Sequence, residues 1–182
     1  MPDTYHHGDL RHVLLYAATQ HLEERGPANL SLRALAREIG VSPGAPYAHF
    51  PDKVSLLAAI AGGGFSLLRD VCIRAAEASS GDPRVLGRAY IGFAFAHPHL
   101  YRLMFCGTIE SFAAHPDLEG ASQAASGFLR QSLGGDADSA AAAWAYIHGL
   151  AMLLIDRRLR PEDGDTFRLV DRLLQRFEAG KR

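Results

Sequence analysis

The stretch GVSPGAPYAHFPDK, residues 40–53, carries three prolines and two glycines in fourteen positions. On both sides of it, apolar residues recur at intervals of three and four, the period of an amphipathic helix. No continuous helix or central strand survives that density of breakers, so the chain must stop one helix and restart others within a few residues. Tyr47, His49 and Lys53 stand among the breakers, and any fold has to place them.

The flanking periodicity predicts helices throughout. From Asp9 to Arg25 the apolar set is Leu10, Val13, Leu14, Ala17, Ala18 and Leu22, closed by Gly26-Pro27. Ser31 is placed to cap a short second helix with Leu32, Leu35, Ala36 and Ile39 on its buried side, and Gly40 is its C-terminal stop. Ser42 followed by Pro43 predicts a third start, although Pro46 then removes an N–H and leaves that helix very short, its first turn tightened. Asp52 can cap a long fourth helix that ends near Ser79-Ser80-Gly81. Further helices are expected over 84–96, over HLYRLMF, over 117–133, over 137–159 and over 162–179. The chain therefore reads as all-α, with about nine helices, no strand signal and no internal repeat.

Length and composition bound the rest. The 182 residues, 48% of them apolar and 21% charged, suit a globular protein with a real core. The net charge is −1, and residues 1–53 hold five Lys or Arg against six Asp or Glu, so nucleic-acid binding has to rest on placement rather than on bulk charge. Cys72 and Cys106 are the only cysteines, which fits a reducing compartment without a disulfide framework. The N-terminus lacks the pattern of a secretory signal, and no apolar run approaches the roughly 20 residues that span a bilayer. These readings predict a soluble, cytoplasmic protein with no membrane partner.

Two short helices joined by Gly40-Val41-Ser42 fit a helix-turn-helix, in which the second helix enters the major groove of DNA. Amides at the start of that helix also suit phosphate. A plain helical hairpin fits the spacing equally well. The segment LSLRALAREIGVSPGAPYAHFPDKVSLL goes further, because it resembles the signature of TetR-family transcriptional regulators. The shared pattern is an S/T-x-R-x-hydrophobic-A second helix, a GVS turn, and Y-x-x-F-x-x-K running into the fourth helix, and it covers roughly residues 8–60. AHPHLYRLMF and AWAYIHGLAMLL, with Trp144, His148 and Gly149, are similar to the subgroup named for a Trp-His-Gly element.

The resemblance implies a DNA-binding domain over 1–53 and a helical ligand-binding and dimerisation domain over 54–182. It implies a DNA-facing set of Ser31, Arg33, Ser42, Pro43, Gly44, Ala45, Tyr47, His49 and Lys53. Arg33 would reach a base edge or phosphate, Pro43, Gly44 and Ala45 would lie against the groove, Tyr47 would contact phosphate or a base, and His49 and Lys53 would hold the backbone. Between Pro43 and Pro46 there is no Gln, Asn, Thr, Lys or Arg, so two-pronged base readout from that turn is lost. Specificity is then expected from Arg33, Tyr47, methyl contacts and DNA shape. Tyr47, Phe50 and Lys53 each have a plainer reading as core or solvated residues.

In the second half, Phe93, His97, Tyr101, Phe105, Trp144 and His148 are candidates to line an apolar pocket with sparse polar anchors, or are simply core. The family implies a small apolar or aromatic effector there, dimerisation through the last two long helices, and a repressor that leaves a palindromic operator when the effector binds. Gly62-Gly63-Gly64, inside the fourth helix, reads either as a hinge or as a site of close packing. The sequence contains no HExxH, phosphate-binding loop, GxSxG or paired-cysteine site, so no catalytic residue, cofactor or metal is assigned. The alternatives are a helical ligand-binding or interaction protein without DNA, and a small helical metalloenzyme built around His97 and His99.

Overall fold

The computed structural model describes residues 7–28, 30–133 and 136–180, with the side chains of residues 7–9 left aside. Among the described residues there are eight α-helices, two short 3-10 turns and no strand. The helices are α1 (His7–Arg25), α2 (Leu32–Glu38), α3 (Lys53–Ala78), α4 (Pro83–Ala96), α5 (Pro98–Phe105), α6 (Pro116–Leu133), α7 (Ala137–Ile155) and α8 (Thr166–Ala179). The 3-10 turns are Ala45–Ala48 and Phe112–Ala114. What was expected as a third helix is the first of these turns.

The chain divides into two compact units, each with its own core: residues 1–65 with 99–121, and residues 66–98 with 122–182. In the first, Leu10, Leu14, Ala18 and Leu22 line up at i, i+4 on one face of α1 and are buried. Gly26 stops α1 at φ +70°, and its amide returns to the Leu22 carbonyl at 2.8 Å. Helix α2 buries Leu32, Leu35 and Ala36 and ends at Gly40, whose φ of +76° lets the Val41 amide close back on the Ala36 carbonyl at 2.9 Å. Helix α1 packs on α2 and on the 45–48 turn, and α2 packs on that turn, which is the helix-turn-helix arrangement.

Helix α3 begins where Asp52 accepts the Ser55 amide at 2.7 Å, and it runs unbroken through the three glycines. The glycines differ from one another. A Cβ on Gly64 would lie 2.7 Å from the Met104 sulfur and 2.9 Å from a Leu100 methyl, whereas one on Gly62 would sit 3.5 Å from the Leu118 Cα. Gly63 faces open space. Two of the three therefore let other segments of the same unit approach the α3 backbone, a packing role. Phe65 closes this core by meeting Phe105 and Phe112 edge-on, with ring centroids 5.3 and 5.9 Å away.

In the second unit α4 packs on both α7 and α8. Gly87 makes room for Leu174 and Ile147, Arg88 pairs with Asp171 and lies over the Phe167 ring, and Tyr146 donates to the Leu173 carbonyl while stacking on Phe177 at 4.3 Å. Helices α4, α7 and α8 start on aspartate caps, Asp82, Asp136 and Asp165. The last two helices are shorter than the periodicity suggested. Helix α7 ends at Ile155 because Arg157 turns into the left-handed region at φ +56°, and α8 waits for Asp165 because Gly164, at φ +75°, breaks the segment before it.

By length and composition alone α3 and α7 each contain an 18-residue window apolar enough to cross a membrane, which the sequence reading did not anticipate. Half of the α3 window and a third of the α7 window are buried inside the protein. Cys72 and Cys106 are both free thiols, and burial pushes the Cys72 thiol up to about 12.

Candidate nucleic-acid interface

The residues 42–50 fold as a single tight turn because of their prolines. The Ala45 amide returns to the Ser42 carbonyl at 3.0 Å and the Tyr47 amide to the Gly44 carbonyl at 3.1 Å, both i to i−3. Pro46 has no amide to donate and is buried, so the bonding that would continue an α-helix is missing at that point. The His49 and Phe50 amides then both converge on the Pro46 carbonyl, and buried Phe50 anchors the turn to the core.

Two sequence expectations change here. Ser42 was expected to cap a helix beginning at Pro43; it instead opens a backbone turn, and the 3-10 segment starts at Ala45 after Gly44, with no side-chain cap. The amides expected to meet phosphate are few, since Pro43 and Pro46 have none and those of Ala45 and Tyr47 are already bonded. Ser31 does cap α2, with its hydroxyl 3.5 Å from the Ala34 amide.

Within the predicted DNA-facing set, Ser31, Arg33, Ser42, Pro43, Gly44 and Tyr47 are exposed and Ala45, His49 and Lys53 are half-buried. Tyr47 keeps 43% of its surface in solvent although its neighbours Pro46 and Phe50 are buried. An exposed tyrosine on a tight turn, beside two prolines, is poorly explained by packing. Lys53 reaches across 25 residues and donates from Nζ to the Ala28 carbonyl at 3.2 Å, tying the α1–α2 connection to the start of α3. Two of its ammonium hydrogens remain for another acceptor.

His49 points partly inward. Its Nε2 is buried without a hydrogen-bond partner among the described residues, and the side chain borders a cavity of about 180 Å³ shared with Arg11, Ser55, His115 and Asp117. Arg11 stands over the Phe50 ring at 5.4 Å. Ring nitrogen Nδ1 is therefore the one left to meet a phosphate without a rotamer change.

The six pocket candidates fall into three groups. Phe93 and His97 are ring neighbours at 5.2 Å, and Tyr101 and Phe105 at 4.8 Å. Trp144 and His148 are neighbours at 5.5 Å and share a partner that the sequence did not single out, buried Tyr90. Trp144 Nε1 donates to the Tyr90 hydroxyl oxygen, and that hydroxyl lies against His148 Nδ1, each at 3.3 Å. Burial pushes the His148 pKa below its ordinary value, so the neutral ring is favoured, with Nδ1 able to accept from Tyr90. Trp144 also borders a cavity of about 200 Å³ with Leu129, Leu133 and Ala140. The spacing of Trp144 and His148, one helical turn apart, marked them as a pair on one face. No local signal identified Tyr90.

Comparison with known proteins agrees with this geometry. The family model described as bacterial regulatory proteins, tetR family, matches residues 14–60, and that described as tetracyclin repressor-like, C-terminal domain, matches residues 84–177. An HTH-type transcriptional regulator of Mycobacterium tuberculosis is 31% identical over 103 residues, which is 54% of this chain and 44% of that protein. The chain thus matches less than half the length of such curated relatives. A protein of unknown function from Rhodococcus sp. RHA1 superposes with a TM-score of 0.82 at 36% identity over 98% of each chain. A bacterial regulatory protein in the tetR family from Rhodococcus RHA1 superposes at 0.65 over 91% of this chain and 93% of its own, at 18% identity, a likeness of fold alone.

Proposed function

The chain belongs to the TetR family of bacterial regulatory proteins, and on that premise we propose that it is a non-enzymatic, cytoplasmic, DNA-binding transcriptional regulator that works as a homodimeric repressor. The observation that carries the reading is the exposed set Arg33, Ser42, Pro43, Gly44 and Tyr47 on and beside a proline-built turn in a helix-turn-helix. Residues 1–53 are the DNA-binding domain and 54–182 the ligand-binding and dimerisation domain. Arg33, Tyr47, His49 and Lys53 hold phosphates or base edges, with Ser31 and Ser42 at the margins of the contact. Pro43, Gly44 and Ala45 present a low, apolar edge suited to thymine methyl groups and groove shape.

Two copies would join through α7 and α8. Helix α7 leaves Ala142, Ala145 and Leu153 exposed and Gly149 half-exposed along one stripe, small residues that allow close helix approach, with Leu153 48% exposed. A twofold pair of reading turns calls for a palindromic operator. A small apolar or aromatic effector held among Phe93, His97, Trp144 and His148 would lower operator affinity by preferring a conformation in which the two turns no longer match successive grooves. The similarity of Trp144, His148 and Gly149 to the Trp-His-Gly subgroup supports that location.

Selection of bound fragments from random DNA tests the reading. A palindromic consensus bound as a dimer, with affinity falling steeply with salt, is the expected result. Recovery of no enriched sequence would leave a helical ligand-binding protein without DNA as the better account. Among the described residues no group of three His, Cys, Asp or Glu side chains is placed to hold a metal.

A further inference from the structure

The connection between α7 and α8 reads DRRLRPEDGD, residues 156–165, with enough acidic residues to neutralise its own arginines. It does not do so. Asp163 pairs with Arg172 at 3.4 Å, and Asp165 caps α8 through the Arg168 amide and pairs with the Arg168 side chain at 3.5 Å. Among the described residues the Arg157 and Arg158 guanidinium groups meet no carboxylate. Arg160 uses its Nε on the Arg157 carbonyl at 3.1 Å, leaving its terminal nitrogens uncommitted.

Arg157 is also the residue that ends α7, at φ +56°. Glycine fills such a position without strain, whereas a side chain with a Cβ does so at a cost. Nothing in the turn's own hydrogen bonding requires an arginine there, so its side chain is the feature left to explain.

Arg157 and Arg160 border a groove of about 490 Å³, within the usual range of small-molecule sites, whose walls include Phe95, Leu154, Leu159 and Pro161. Phe95 is held in place by its ring contact with Phe167, 5.9 Å between centroids. Two residues from Phe93 along α4, Phe95 lies on a different face of that helix, so this groove is separate from the Phe93–His97 cluster. Apolar walls and uncompensated guanidinium groups at one edge are complementary to a small amphiphilic acid.

We infer that the groove at the α7–α8 connection binds a small monocarboxylic acid, its carboxylate held by Arg157 and Arg160 and its aliphatic or aromatic body lying along Phe95, Leu154, Leu159 and Pro161. This assignment stands apart from DNA binding: it holds or fails whether or not the protein has an operator.

The test is calorimetric titration of the full chain with octanoate and with 4-phenylbutyrate, each compared with its neutral amide. Saturable binding of one acid per chain is expected, at least ~10-fold tighter than its amide, as loss of a charge-assisted contact requires. Arg157→Gln combined with Arg160→Gln should weaken the acid by a similar factor, while Arg158→Gln, outside the groove, leaves it unchanged. Amide shifts at Leu159 and Thr166 on titration would mark the groove itself. The inference is overturned if neither acid saturates, if acid and amide bind alike, or if the double variant melts like the native chain yet keeps the acid's affinity. The acid–amide comparison uses the unaltered chain and remains decisive should the double variant unfold.

Discussion

Lys53 Nζ donates to the Ala28 carbonyl oxygen at 3.2 Å, joining the first turn of α3 to the connection that precedes α2. A lysine at the positive end of a helix is electrostatically misplaced unless an acceptor or an anion sits beside it, and this one has an acceptor with hydrogens to spare. Lys53→Met should therefore weaken DNA binding on all sequences alike and reduce the slope of log affinity against log salt by about 0.9, one phosphate's worth. An unchanged slope would assign Lys53 to the Ala28 bond alone.

The three glycines of α3 should respond with different signs. Gly63→Ala meets open space and should stabilise by roughly 1 kcal/mol through helix propensity. Gly64→Ala drives a methyl into Met104 and Leu100, both buried, and should cost about 1–3 kcal/mol of overpacking before that gain is counted. Gly62→Ala, at ordinary contact distance from Leu118, should fall between them. Urea denaturation of the three variants gives the order, and a destabilised Gly63→Ala would revive the hinge reading.

Tyr90→Phe should cost about 1–2 kcal/mol, because the Trp144 N–H and the His148 ring both lose their contact with the Tyr90 hydroxyl. The sign of the accompanying pH effect follows from burial. His148 has its folded pKa below the ordinary 6.5, so the unfolded chain takes up the proton first as pH falls. The stability attributable to neutral His148 is fully present above pH 6.5 and is lost as pH drops toward the folded value. His148→Gln should flatten stability against pH just below 6.5; a curve unchanged from the native chain's would count against the buried neutral ring.

Asp52→Ala should cost about 1 kcal/mol and Asp52→Ser much less, since the Ser55 amide needs an oxygen acceptor at the start of α3. The same Ser55 amide holds the Asp52 carboxyl below the usual carboxylate range. Its contribution is therefore present above pH 3.8 and lost as pH falls through the depressed folded value. Thermal melts at pH 7 and pH 3 should show a smaller alanine penalty at the lower pH.

Leu153→Glu should convert the proposed dimer to a monomer at micromolar concentration, because it sets a charge at the largest exposed apolar side chain of the α7 stripe. Light scattering after gel filtration reads the mass directly. A variant that remains dimeric would move the interface away from this face.

Local pattern alone determined that this chain is helical and where α1 to α6 begin and end to within about two residues. Helix periodicity, caps and proline act over four residues or fewer, so they are legible in one dimension. The 3-10 form of the 45–48 turn was foreshadowed by Pro46 for the same reason, and the early end of α7 was not, because an arginine at positive φ carries no sequence mark. Only the tertiary structure decided that Lys53 meets Ala28, that Tyr90 joins Trp144 to His148 from more than fifty residues away, that Gly62 and Gly64 are contact points while Gly63 is not, and that the arginines after α7 border a groove. Each of those depends on which buried or polar group finds which partner across the fold, and that choice belongs to three-dimensional packing rather than to any short window of residues.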